Sequence, residues 1–371
     1  MTTDRLIMGC DLSTLEDVEA DGGRFFDGGK EGLCDDILIS HGYSSVRLRV
    51  WNDPYDRSGK PYGGGTCDTE KMIRTAVRLK NKGMSFMLDL HYSDFWCDPA
   101  RQGTPKAWQD MNLDEMCSAL GEFTERTVSA FMSAGAAPEY VQVGNEITNG
   151  MLWDTAKLDR STPEAFEESF ARLAKLLKSG CEAVRRVSDA KIILHLEQSG
   201  RNAMWREWFD EAVKHGIDFD IIGASYYPLW HGSLATMKAN LDDMVSRYGK
   251  DVMIVETAYP FTDRHFDPNS RQLMINDSFT PDDGSKPAWS FTPEGQAQYL
   301  RDLVGTAKTI GGGRCLGIYW WEPAWIPTPN STWATREALA DIGEEEKDTG
   351  NEWANQCLFD YDGNALPALD I

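Results

Sequence analysis

The chain has 371 residues, 41% of them hydrophobic, with 59 Asp and Glu against 37 Lys and Arg, a formal net charge of −22. This is ample for a sizeable core in one large domain or two ordinary ones. A surface of that sign repels phosphate backbones and anionic lipid, so neither nucleic acid nor membrane is an expected partner. No apolar run reaches the roughly 18 residues needed to span a bilayer. The eight cysteines contain no CxxC pair and no zinc-finger spacing, and Cys34, Cys117 and Cys181 lie in helix-like runs, so reduced thiols are expected. The opening stretch MTTDRLIMGCD lacks a cationic start followed by an apolar segment of signal-peptide length. The chain as given is therefore expected in the cytoplasm, or secreted if its N-terminus was trimmed.

In chain order, short apolar runs alternate with amphipathic ones. Residues 6–13 read as a strand, 31–42 as a helix closed by Gly, and 44–51 as a strand. Residues 68–83 are a helix that opens on Asp and closes on Lys-Gly. Strand 84–93, helix 113–135 and strand 140–147 follow. Helix 163–188 has Pro in its first turn. Then come strand 191–199, helix 203–216, strand 219–228, helix 234–248, strand 251–260, helix 292–310 and strand 315–324. Alternation of this kind predicts a parallel sheet. Eight units in one domain, 1–371, fit a closed (β/α)8 TIM barrel. An open doubly wound sheet is the competing architecture, but "GCDLSTLED" after the first strand holds no GxGxxG turn. The long loop-like stretches 53–66, 261–291 and 326–352 each follow a strand. They would decorate the C-terminal face, where barrel active sites lie.

The strand ends carry polar side chains. Asp11 closes the first strand; Arg47 and Arg49 share a face of the second; Asp89 and His91 share a face of the third, followed by Asp94 and Trp96. Asn145 and Glu146 end the fourth strand, and His195 and Glu197 share a face of the fifth. Tyr226 and Tyr227 end the sixth, Glu256 the seventh, and Trp321, Glu322 and Trp325 the eighth. Arg47, Arg49, Asp89 and Glu197 could equally be an ion network holding the barrel mouth. His91 and His195 could bind metal, though no HxH or HExxH occurs. Serine-nucleophile chemistry lacks its GxSxG elbow. Glu146 and Glu256 are the sharpest pair. In a barrel their strand ends converge on one pocket, and two carboxyls facing one bond equip a site for glycoside hydrolysis, one as proton donor and one as ionised nucleophile. Asn145 would stand by the sugar 2-hydroxyl, Arg47 would hold the nucleophile ionised, and exposed indoles suit the C–H faces of sugars.

Seven stretches narrow the reading: VRLRVWNDP (46–54), LDLHYSDFWCDPARQ (88–102), VGNEITNGMLW (143–153), IVETAYPF (254–261), TPEGQAQYLRDL (292–303), YWWEPAWIP (319–327) and LFDYDGNALPAL (358–369). In order and across nearly the whole chain, they resemble glycoside hydrolase family 53, the arabinogalactan endo-β-1,4-galactanases. The resemblance implies a retaining hydrolase of β-1,4-galactan, with Glu146 as acid/base and Glu256 as nucleophile. By the same resemblance Asp11, Arg47, His91, Trp96, Asn145, Tyr227, Trp321 and Trp325 belong to the substrate cleft. No cofactor is required. Some bacterial members bind a structural calcium between late loops, for which Asp263, Asp267, Asp277, Asp282 and Asp283 are the candidates here, without an EF-type loop. The chain departs from the family in having Asp154 where Pro is common, and in its N-terminus. A β-mannanase or β-glucanase of the same clan and a non-catalytic sugar-binding barrel are the rival readings.

Overall fold

The computed structural model describes residues 6–267, 273–276, 278–280 and 287–371. Eight strands, β1 Ile7–Asp11, β2 Ser45–Val50, β3 Ser85–Leu90, β4 Tyr140–Val143, β5 Lys191–Leu196, β6 Ile221–Ser225, β7 Asp251–Thr257 and β8 Cys315–Trp320, form a closed barrel. Each pairs in parallel with its neighbours in sequence, and β1 closes on β8 through Ile7–Gly317 to Cys10–Trp320. The expected (β/α)8 barrel is the observed one.

Among the described residues the crossover helices are α1 Cys34–Ser40, preceded by a short turn of helix at Leu15–Ala20, α2 Thr69–Asn81, α3 Leu113–Ser133, α4 Pro163–Val187, α5 Asn202–Lys214, α6 Leu234–Tyr248 and α7 Pro293–Ala307. Their starts follow from side-chain caps. Asp68 accepts from the Lys71 N–H, Asn112 and Glu115 form a reciprocal box, and Thr162 and Thr292 cap helices whose first residue is Pro. Each such cap contributes about 1 kcal/mol. Among the described residues after β8 there is no long eighth helix. A short helix, Arg336–Asp341, and a terminal 3₁₀ turn, Pro367–Asp370, which packs on α7, stand in its place. The helix expected over 31–42 begins only at Cys34, because Lys30–Gly32 pairs with Phe25–Asp27 in a hairpin. Its two-residue turn, Gly28-Gly29, has φ of 55° and 78°, the region where glycine costs least.

Period two sorts the barrel interior into layers. Ile7, Met87, Tyr140, Ile193, Ile221, Met253, Val255 and Tyr319 make an apolar floor. The ring of Tyr319 packs against Gly9, where a Cβ would come within 2.4 Å of it. One step toward the C-terminal ends the inward residues turn polar: Asp11, Arg47, Asp89, Gln142, His195 and Ser225, all completely buried. Outward residues such as Leu48, Leu88, Val141 and Leu194 pack under the helices. The cysteines are all unpaired thiols. Among the described residues, no helix is long and apolar enough to cross a membrane.

Candidate active site

A cleft of about 650 Å³ opens at the C-terminal ends of the strands, above the polar layer. His91, Trp96, Asn145, Glu146, Tyr227, Glu256, Trp321 and Trp325 line it. Eight of the ten residues that the resemblance assigns to the site thus meet in one place. Asp11 and Arg47 are not among its lining residues: both are fully buried in the polar layer directly below it, paired with other protein groups.

Glu146 follows β4 through Gly144 and Asn145, and its own backbone is left-handed, with φ 47°. That conformation is uncommon for a residue with a Cβ and marks a position the surroundings enforce. Gln102 holds the turn from outside, its amide donating to the carbonyls of Asn145 at 2.8 Å and Glu146 at 3.3 Å. Glu256 arrives by a different device. Met253 and Val255 point into the barrel while Ile254 points out, so strict alternation would send Glu256 outward too. The register between β6 and β7 slips after Ala224–Ile254, so that Ser225 pairs with Glu256. The bulge turns the Glu256 carboxyl into the cleft.

The two carboxyls sit in opposite surroundings. Glu256 lies 2.8 Å from the Arg47 guanidinium and accepts from the Tyr227 hydroxyl at 3.0 Å. Glu146 accepts from the Ser225 hydroxyl at 2.6 Å, and among the described residues no Lys or Arg pairs with it. Burial raises both. For Glu146, the nearby Glu256 and Glu197 add to burial and hold it well above the ordinary carboxyl range. For Glu256, burial is opposed first by Arg47, which must also serve Asp89 and Asp11, and the outcome is about 7. The pair therefore loses its first proton from Glu256 and keeps the second on Glu146.

Arg47 is the hub below. It pairs with Asp11 at 3.0 Å and Asp89 at 2.7 Å, and donates to the Asn145 side chain at 2.8 Å. Arg49 pairs with Glu322 at 2.5 Å and Asp11 at 3.5 Å, and its guanidinium stacks 4.2 Å beneath the Trp96 ring. The suspected ion network is real for Arg47, Arg49 and Asp89. Glu197 stands outside it, hydrogen-bonded to Thr148 at 2.5 Å. His91 takes hydrogen bonds at Nδ1 from Trp51 and the Cys97 N–H, both 3.2 Å, so Nε2 carries the hydrogen donated to Asp89 at 2.9 Å. Burial keeps it neutral. With both nitrogens used, His91 can offer a ligand only its ring edge, and a metal-ligand role does not fit it. Among the described residues no cluster of three His, Cys, Asp or Glu could hold a metal ion. Asp263 and Asp267 are exposed and form no such site with described residues, and the other calcium candidates, Asp277, Asp282 and Asp283, lie outside the described residues.

Trp96 stacks near-parallel with Trp325 at 6.0 Å between ring centres, and Trp321 stands 5.8 Å from Trp96. Sequence reading missed Trp230, Trp333 and Trp353, which also line the cleft. Trp333 and Trp353 come from the long loop after β8, where no periodicity singles them out. Trp353 packs edge-on against Trp321 at 4.6 Å.

A barrel whose strand ends bring two carboxyls and a set of indoles into one cleft is the architecture of a glycoside hydrolase. The chain belongs to glycosyl hydrolase family 53, whose family model matches residues 7–371. It is 34% identical to a protein of Cellvibrio japonicus named arabinogalactan endo-beta-1,4-galactanase, over 98% of this chain and 89% of that one. It is 32% identical to the endo-beta-1,4-galactanase of Bacillus subtilis, over 98% and 85%. Among solved structures, the family 53 catalytic domain from Ignisphaera aggregans superposes with a TM-score of 0.86 at 34% identity, covering 99% of this chain and 95% of that one.

Proposed function

We propose that this chain is a retaining endo-hydrolase of β-1,4-galactan, the neutral side chain of pectin, acting by double displacement. The observation that carries the reading is the unequal setting of Glu146 and Glu256 in one aromatic cleft. Glu256, with Arg47 and Tyr227 on its two oxygens, is the carboxylate that attacks the anomeric carbon. Glu146, without a cation, keeps the proton and delivers it to the glycosidic oxygen. Once Glu256 becomes a neutral ester its charge no longer opposes ionisation of Glu146. Glu146 can then take a proton from the water that hydrolyses the ester, and the anomeric configuration is kept. The galactan assignment rests on the relatives named as galactanases, and the indoles supply stacking faces for sugar rings.

The test is digestion of linear β-1,4-galactan, with mannan and β-glucan alongside, followed by NMR of the first products. Galactan cleavage to mixed oligosaccharides whose new ends are β before mutarotation is the expected result. Preference for mannan or glucan would overturn the substrate, and α ends from the wild-type enzyme would overturn the mechanism.

A further inference from the structure

The proton chemistry given to Glu146 requires that one of its oxygens carry the proton and the other not. The hydrogen-bond directions beneath it decide which. The backbone N–H of Glu146, whose direction the peptide plane fixes, points at Nδ1 of His195 at 3.4 Å. The Gln142 amide nitrogen lies 3.0 Å from the same atom; one of its hydrogens goes to Asp89 at 2.5 Å, and the other is shared among Nδ1, the Asn145 oxygen at 3.2 Å and the Gly144 carbonyl at 3.3 Å. The Asn145 oxygen 3.0 Å from Nδ1 has both lone pairs taken, by Arg47 at 2.8 Å and by Gln142 at 3.2 Å. Nδ1 therefore presents its lone pair, and His195, which burial keeps neutral, carries its hydrogen on Nε2. Nε2 is 2.8 Å from the Ser225 oxygen and donates to it. The Ser225 hydroxyl is left with one acceptor, Oε1 of Glu146 at 2.6 Å. Gln142, His195 and Ser225 are completely buried, so no solvent replaces any of these bonds.

We propose that Ser225, oriented by His195 and Gln142, is a positioning residue that keeps Oε1 of Glu146 a hydrogen-bond acceptor throughout turnover and so confines the transferable proton to Oε2, the oxygen left to the cleft. This rests on Glu146 being the acid/base. In the first step the Oε2–H bond breaks and the proton passes to the glycosidic oxygen, as the bond from that oxygen to C1 breaks and Glu256 bonds to C1. In the second, water attacks C1, the ester bond breaks and a proton from the water returns to Oε2. Oε1 is protonated in neither. A donor held on Oε1 also favours the ionised form and moderates the rise that burial, Glu256, Glu197 and Asp98 impose. The remaining neighbours, Tyr227, His195 and His231, are held neutral by burial, and Arg47 reaches Glu146 only through Asn145 and Glu256.

The experiment compares pH profiles of kcat/KM and kcat on linear galactan for wild type, Ser225→Ala, Ser225→Thr, His195→Phe and Glu146→Gln, each checked for folding by thermal melting. Loss of the hydroxyl raises the pKa of Glu146. The basic limb of kcat/KM in Ser225→Ala should therefore move up by about one pH unit. At neutral pH kcat should fall about tenfold, because Glu146, with its pKa raised, gives its proton less readily to the glycosidic oxygen in the first step. Thr, which keeps a hydroxyl, should restore the limb, and His195→Phe should shift it in the same direction by less. Reduced activity with unshifted limbs in both Ser225→Ala and His195→Phe, the mark of a purely structural role, would overturn the proposal. A folded Glu146→Gln enzyme with near-wild-type turnover would instead remove the acid/base reading on which it rests.

Discussion

Replacing Arg47 by Gln should do two separable things. Its guanidinium makes ion pairs of 2.7 to 3.0 Å with Asp89, Glu256 and Asp11, and all four side chains are nearly or wholly buried. Removing one partner of a buried pair leaves uncompensated charge and costs about 3–5 kcal/mol, so the melting temperature should fall by several degrees. The second effect is on Glu256. A unit charge about 4 Å away at an effective dielectric constant of about 20 is worth ~4 kcal/mol, or ~3 pKa units. Arg47 is shared among three carboxylates, which lowers the expected rise to about one to two units. Glu256 already stands at about 7, and the nucleophile must be ionised. The acid limb of kcat/KM should therefore move upward, and activity at pH 6 should fall roughly 10- to 100-fold more than activity at pH 9. Arg47→Lys keeps the charge but not the fork, so its limb should stay closer to wild type. The assay is a pH profile on an activated aryl β-galactoside, where leaving-group protonation matters least. A folded Arg47→Gln enzyme with the wild-type acid limb would refute the role given to Arg47.

Three further predictions follow from the same site. Glu146→Gln should fold and lose roughly 10²–10⁴-fold in galactan turnover, while its first step on an aryl galactoside suffers less; equal losses on both substrates would contradict proton donation. Burial raises Glu256 and Glu197 to about 7 and Glu322 to about 8. A raised folded-state pKa contributes stability that is complete below about 4.3 and lost as pH climbs through 7 to 8, so the melting temperature should fall between pH 5 and 9, less steeply in Glu322→Gln, and a flat wild-type curve would contradict the shifts. Trp325→Ala should raise KM for galactan about tenfold with kcat largely kept, as expected for loss of a stacking face; an unchanged KM would remove Trp325 from the binding surface.

The barrel was legible because two periods alternate cleanly. Short Val- and Ile-rich runs have the width of buried strands, and the amphipathic runs open on Asp68, Asn112, Thr162 and Thr292, whose caps the structure contains. The segments that escaped are those where local chemistry is weak. The hairpin before α1 rests on three-residue strands, one of them wholly exposed, and its only signal is the pair Gly28-Gly29. Trp333 and Trp353 sit in a loop with neither period, and only the fold brings them over the cleft.

Within the site, legibility ends where a side chain's direction depends on something other than parity. Asp89, Gln142, His195 and Ser225 face inward by simple alternation with Met87, Tyr140, Ile193 and Ile221, so their meeting could be read from the strands once the barrel was granted. Ser225 and Gln142 are not singled out by the sequence, since each lies inside its strand and neither belongs to a charged or aromatic pair at the strand end. The two carboxyls break the rule in different ways. Glu256 shares the parity of outward-facing Ile254, and only the slip of β7 against β6 brings it in. Glu146 lies beyond the last paired residue of β4 and depends on a left-handed backbone that Gln102 braces through two carbonyls. Both irregularities carry a cost in regular hydrogen bonding or backbone energy, and both fall on the residues assigned to bond-breaking. A strictly regular barrel would have pointed Glu256 into the packing under α6 and α7. The bulge is therefore part of the active site in the same sense as the carboxyl it aims, and a substitution that straightened β7 would disable Glu256 without touching it.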